Sequence, residues 1–243
     1  MQLQQSTWQE VEAYLAGSSG IIVPIGSTEQ HGPNGLIGTD AICPETVARG
    51  VGEETATLVA PTLSIGMSQH HMAFPGSMTL KPSTLLLVIV EVVESLARHG
   101  FDRIYFLNGH GGNIATLGAA INEVYASGLE AADRPLRLRQ RNWWSGEKVR
   151  KLQQKLYGRA DGAHATASEV ALSWFAHPDS VKDVEMSPKI APMGPIRDAE
   201  DFRRSFPDGR MGSDPSLASV EAGSDLYDAA VGDVRRDFEA FVG

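Results

Sequence analysis

Three short stretches of this 243-residue chain carry side chains that can do chemistry. The first is Glu29-Gln30-His31, followed nine residues later by Asp40. In an extended loop, a Glu and a His two apart can turn toward a common centre. An Asp at the start of the next helix can join them. Carboxylate and imidazole together suit Zn²⁺, Mn²⁺ or Fe²⁺. The second stretch is Asn108-Gly109-His110-Gly111-Gly112-Asn113, where three glycines let the backbone turn sharply and display one imidazole. The third pairs His164 with Glu169. Glu169 lies among Ala165, Ala167, Val170, Ala171, Leu172 and Trp174, a setting that disfavours a free carboxylate without a partner. Each piece alone has a plainer reading: solvated loop side chains, a structural His, or glycines that cradle a phosphate. Three such pieces on one sheet edge favour a metal site.

The elements that must position these residues follow from apolar runs and their stops. Ile21 to Ile25 and Arg103 to Leu107 read as buried strands, and Leu58 to Ile65 and Leu136 to Arg141 as strand candidates. Helices are expected over Thr7–Ala16 (opened by a capping box of Ser6 with Gln9), Asp40–Glu54, Thr84–His99, Ile114–Ser127, Trp144–Tyr157 and Thr166–Phe175. The recurrence of strand, loop and helix predicts an α/β fold, a three-layer α/β/α sandwich with a mostly parallel central sheet. Ligands of such sheets sit beyond the carboxyl ends of the strands. The loops after Ile25 and Leu107 both leave at that edge. Residues 177–243, rich in Pro, Gly and Asp, read as irregular chain wrapping a domain that spans residues 1–243.

Composition narrows the function classes. A net charge of −9 argues against nucleic acid and anionic lipid as partners. One cysteine, Cys43, excludes an intrachain disulfide and reads as a small buried residue. The first ten residues lack the basic and apolar regions of a signal peptide, and Leu85 to Val90, the longest apolar run, is too short to span a membrane. A cytoplasmic setting is the expectation.

In the order and spacing of these motifs the chain resembles the creatininase (creatinine amidohydrolase) family. The resemblance rests on Val23-Pro24-Ile25-Gly26-Ser27-Thr28-Glu29-Gln30-His31-Gly32-Pro33 with Gly38-Thr39-Asp40, on Phe74-Pro75-Gly76-Ser77, on the intact motif at 108–113, on His164-Ala165 through Glu169, and on Gly212-Ser213-Asp214-Pro215. It implies two divalent metal ions per subunit (Zn, Mn or Fe), with Glu29, His31, Asp40 and His110 as ligands and Asp40 as the bridge. Creatinine-hydrolysing members carry Tyr-Glu where Gly111-Gly112 stand here, and that Glu binds metal. In Gly-Gly members the implied replacement is Glu169, so the subtype resembles formamide deformylases and mycofactocin-type peptidases.

The implied activity is hydrolysis of a C–N amide-type bond (cyclic amide, formamide or peptide) in a small molecule by a metal-activated water. His164, with Glu169, is the candidate catalytic group. Its imidazole either protonates the leaving nitrogen or orients Glu169. His71, the backbone of Gly111 and Gly112, and Trp144 are candidate substrate contacts. The resemblance further implies a homo-oligomer, with a hexamer as the candidate state. The rival reading is a non-catalytic, metal- or ligand-binding regulatory relative of the same fold. A nucleotide-binding module is disfavoured, because the glycine-rich turn lacks both the P-loop Lys and the dinucleotide spacing.

Overall fold

Apolar runs flanked by glycine and polar loops build a parallel sheet. The computed structural model describes residues 1–132 and 134–243. Strand β1 (Gly20–Ile25) lies between β2 (Leu58–Val59) and β3 (Arg103–Asn108), and β6 (Arg137–Asn142) follows β3, all in parallel. Two further two-residue strands, β4 (Glu130–Ala131) and β5 (Arg134–Pro135), form a separate antiparallel ribbon. The register sets Ile25 level with Asn108, and Asn108 level with Asn142. Three strands therefore end together, and the loops carrying Glu29 and His110 leave from one edge.

The two-residue period of a strand divides the core between the two faces of the sheet. Ile21, Val23, Ile25, Ile104 and Phe106 pack against Leu85, Ile89 and Val93 of α3 (Pro82–Arg98) and Leu117 and Val124 of α4 (Ile114–Ser127). Ile22, Tyr105 and Leu107 point the other way. There they meet Val47 and Val51 of α2 (Thr39–Thr55), Ala171 and Leu172 of α6 (Ala167–Ala176), and Leu226, Val234 and Phe238 of α8 (Val220–Val242). Helices thus cover a mostly parallel sheet on both faces.

Some expectations shift. The capping box of α1 (Trp8–Leu15) is Thr7 with Glu10, not Ser6 with Gln9. A carboxylate is the stronger acceptor, and Glu10 takes the Thr7 N–H at 2.6 Å. The strand expected from Leu58 to Ile65 is only Leu58–Val59, because Pro61 cannot donate to the ladder. After the turn at Trp143–Ser145, α5 runs only over Glu147–Leu156. The last third of the supposedly irregular tail is α8, 23 residues long, and α7 (Ala199–Ser205) is a second helix within it. Asp233 of α8 accepts the N–H groups of Lys148 (2.8 Å) and Val149 (3.2 Å), which caps α5.

The outer edge of β6 is partly sealed by a side chain. The hydroxyl of Tyr125, on α4, accepts from the Leu138 N–H at 2.8 Å and donates to the Leu138 carbonyl at 3.3 Å.

Because Phe238 is 2% exposed and packs edge-on against Tyr105 with centroids 5.5 Å apart, Phe238→Ala should lower stability by about 3–5 kcal/mol, read by denaturant unfolding. A loss under 1 kcal/mol would show that α8 is not part of the core.

Candidate active site

The site is assembled around the first turn of α2. Pro44, one turn into that helix, has no N–H for the Asp40 carbonyl. That carbonyl packs instead between the ends of β1 and β3. A Cβ on either Gly26 or Gly109 would lie 2.0 Å from it, so only glycine fits at both positions. Asp40 is thereby fixed directly between the Glu29 loop and the His110 loop.

The His110 loop is pinned by the asparagines that bracket it. Asn108 accepts from the His110 N–H (3.2 Å) and donates to the His110 carbonyl (2.7 Å). Asn113 donates to the Gly26 carbonyl (2.9 Å) and accepts from the Met67 N–H (3.0 Å), tying three loops together. A Cβ on Gly112 would lie 2.3 Å from His110 Nε2, whereas one on Gly111 would meet nothing within 4 Å. Behind Glu29, the Ser68 hydroxyl hydrogen-bonds Oε2 and also touches the Ser27 hydroxyl.

Five side chains then converge. His31 Nε2 is 3.1 Å from Asp40 Oδ1 and 3.8 Å from Glu169 Oε1. His110 Nδ1 is 2.8 Å from Asp40 Oδ2, and its Nε2 is 3.4 Å from Glu29 Oε2. Glu29, Asp40 and His110 form one group of donor atoms within 4.8 Å of one another, and His31, Asp40 and Glu169 form a second. Asp40 belongs to both. Donors on a small divalent ion lie about 3–3.5 Å apart, because its bonds are about 2.0–2.2 Å long. The separations here, from 2.8 to 3.8 Å, bracket that range, and Glu29 Oε1 and Asp40 Oδ2 are buried without a hydrogen-bond partner among the described residues. His31 Nδ1 faces the Glu29 carbonyl (3.0 Å), as in metal-binding imidazoles; His110 Nε2 faces both the Met67 carbonyl (2.8 Å) and Glu29 Oε2, which leaves Nδ1, toward Asp40, as its ligand nitrogen.

The electrostatics agree. Burial opposes charge on His31, but Asp40, Glu169 and Glu29 outweigh it and hold the imidazole up to about 10. His110 is held up to about 9 against burial, by Glu29, Asp40 and the Met67 carbonyl. Burial alone would raise Asp40; the two imidazoles pull it well below the usual carboxylate range. Glu169, which also closes the capping box of α6 by accepting the Thr166 N–H at 2.6 Å, is pushed up to about 7 by burial, partly offset by His31. His164 goes the other way: burial, then His71 and His31, keep it neutral.

The cluster opens into a cavity of about 420 Å³. Its walls include Gly111, Gly112, Trp144, His164 and Glu169, all expected, and also His70, Trp143 and Asp161. His71 is not on the wall. It is 0% exposed, lies beneath His70, and puts Nε2 3.1 Å from Glu29 Oε1. His71 is therefore not the substrate contact expected: it supports Glu29, and its neighbour His70 lines the cavity. The contacts of His164 run to Gln30 and Glu29, with none to Glu169 among the described residues. Asp161, which the sequence did not mark, caps α6 by accepting the Ser168 N–H (2.9 Å). Gln30, Ser68, Asn108 and Asn113 were not singled out as positioning groups, since nothing in their types separates them from ordinary loop residues.

A family model described as "Creatininase: Creatinine amidohydrolase" matches residues 4–237. The chain belongs to the creatininase family. Within that family it is 29% identical over 189 residues to a creatinine amidohydrolase of Pseudomonas putida, covering 72% of this chain and 71% of the relative. It is 38% identical over 117 residues to a mycofactocin precursor peptide peptidase of Mycolicibacterium smegmatis, covering 46% of this chain and 47% of the relative, about half of each. A solved creatininase variant described as "Zn-Zn type" superposes with a TM-score of 0.86 at 25% identity, covering 100% of this chain and 98% of that one.

A metal must displace the protons that His31 and His110 hold near neutrality. Zinc binding at pH 7 should therefore release about two protons per chain, measured by calorimetry in buffers of different ionisation heat. Apparent affinity should climb from pH 7 to pH 9. Binding without proton release would show that these imidazoles are not ligands.

Proposed function

We propose that this creatininase-family chain is a metal-dependent amidohydrolase that cleaves a C–N amide-type bond in a small molecule, with residues 1–243 forming one domain. The observation that carries the reading is the carboxylate of Asp40, shared between two clusters of metal-competent donors. Glu29, Asp40 and His110 would hold one divalent ion, and His31, Asp40 and Glu169 the other. Zinc, manganese and iron all suit this donor set. When bound, such a pair supplies Lewis acidity to an amide carbonyl and to the attacking water, whose pKa can fall from 15.7 to about 7.

The chain's own groups do the rest. Gly111 and Gly112 line the cavity, and their main-chain N–H groups would stabilise negative charge on the carbonyl oxygen. Trp143 and Trp144, edge to face at 6.0 Å, wall one side. His164, kept neutral by burial, takes up a proton from the attacking water at a ring nitrogen and returns it to the leaving nitrogen.

Creatinine is disfavoured as the substrate. The backbone at Gly112 leaves no room for a side chain beside His110, so a glutamate there would displace the imidazole. Glu169 supplies the missing carboxylate from α6. Together with the similarity to a peptidase, this supports a formamide or peptide bond. Homo-oligomeric assembly and a cytoplasmic setting belong to the same proposal. Ile37, Met72 and Met78, exposed on the two loops beside the site, support the assembly.

The test is an amide screen, with creatinine, a formamidopyrimidine and short peptides incubated with the protein and read by mass spectrometry. Elemental analysis should find about two divalent ions per chain. Glu29→Gln and His110→Ala should lose bound metal and at least 100-fold in kcat/KM. Full activity after metal removal would overturn the mechanism, and a metal-loaded protein inert toward every amide would favour the regulatory alternative.

A further inference from the structure

The side chain of Gln30 is neither a metal-competent donor nor itself on the cavity wall, yet it occupies the middle of the histidine cluster. Its Oε1 accepts the Gly32 N–H at 2.8 Å. A main-chain N–H only donates, so this contact identifies the oxygen end of the amide. Nε2 then has two hydrogens and three neighbours, each at 2.9 Å: the Gly209 carbonyl, His71 Nδ1 and His164 Nε2.

Counting donors and acceptors decides among them. The Gly209 carbonyl only accepts, so it takes one hydrogen. His164 Nε2 also lies 2.8 Å from the main-chain carbonyl of Gln30, which only accepts. That ring nitrogen must therefore be the donor and cannot receive from the amide. The second amide hydrogen goes to His71 Nδ1, which must be bare. The proton of a neutral His71 then sits on Nε2, 3.1 Å from Glu29 Oε1; both atoms are buried and neither has a hydrogen-bond partner among the described residues.

We infer that Gln30 is a positioning residue whose amide fixes the tautomers of His71 and His164, leaving Nδ1 of His164 as the bare nitrogen on the active-site side. Nδ1 lies 3.7 Å from Glu29 Oε1, beside the donor cluster, and His164 lines the cavity. It is the atom that takes the proton of the attacking water and passes it to the leaving nitrogen. The same amide holds the chain at Gly209, which approaches so closely that a Cβ there would lie 1.9 Å from Oε1. The step from Gln30 to catalysis rests on the amidohydrolase reading; the tautomers do not.

The test is ring ¹⁵N spectroscopy of histidine-labelled protein, metal-free and zinc-loaded. The wild type should show His71 and His164 both protonated at Nε2. In Gln30→Glu the side chain can only accept, so His71 should move its proton to Nδ1. In Gln30→Met, kcat should fall by about 10–100-fold with KM within about twofold and metal content unchanged. An Nδ1-protonated His164 or His71 in the wild type would overturn the inference, as would a His71 tautomer indifferent to Gln30→Glu. A loss of kcat matched by loss of metal would make Gln30 part of metal retention instead. Absence of turnover by the wild type removes the hydrolase reading, and the spectra still decide the tautomers.

Discussion

The architecture depends on how tightly the backbone of Asp40 is gripped. Two strand ends close on one carbonyl, and glycine at both contacts is what allows it. The grip brings the start of α2 to the carboxyl edge of the sheet. From there one carboxylate faces His31 through Oδ1 and His110 through Oδ2. A buried carboxylate between two imidazoles is costly unless the charges are matched. Here the imidazoles hold protons in the absence of metal, and the same geometry offers lone pairs once those protons leave. The folded chain and the metal-competent chain can therefore share one arrangement of side chains.

Around this centre the polar groups are tied to one another in successive layers. Asn108 and Asn113 lock the loop that presents His110, Ser68 and Ser27 back Glu29, and the capping box of α6 places Glu169. Ala165 adopts φ +51°, in the left-handed region, between His164 and the helix cap. This turn separates two duties: His164 stays beside Gln30, while Thr166 starts the helix that carries Glu169. Ala56 and Ala132 also adopt positive φ, but only at Ala165 does the strained residue sit between functional groups.

Much of this was legible in the sequence. Ile21 to Ile25 and Arg103 to Leu107 announce themselves as strands because both faces of a parallel strand are buried. The glycine-bracketed His110 marks a strand end, and the apolar surroundings of Glu169 mark a carboxylate in need of a partner. Helix α8 was obscured by Gly223, Gly232 and several acids. Yet Leu226, Ala230, Val234, Phe238 and Phe241 recur at three- and four-residue spacing and all are buried. The period was the better guide, because tertiary packing overrides propensity. The sequence pointed to His71 as the substrate contact, whereas the fold puts His70 on the cavity wall, since neighbours in a single turn point in different directions only once the turn is formed. Gln30 was equally silent, because its partners lie up to 179 residues away.

The phenol of Tyr125 has a consequence for how copies of the chain can meet. A terminal strand ordinarily offers its free N–H and C=O groups to any passing strand. At Leu138 both groups are already engaged by the phenol. A strand approaching this border finds the middle of β6 already capped from within its own chain, so an unbroken ladder across two copies would first have to displace the phenol.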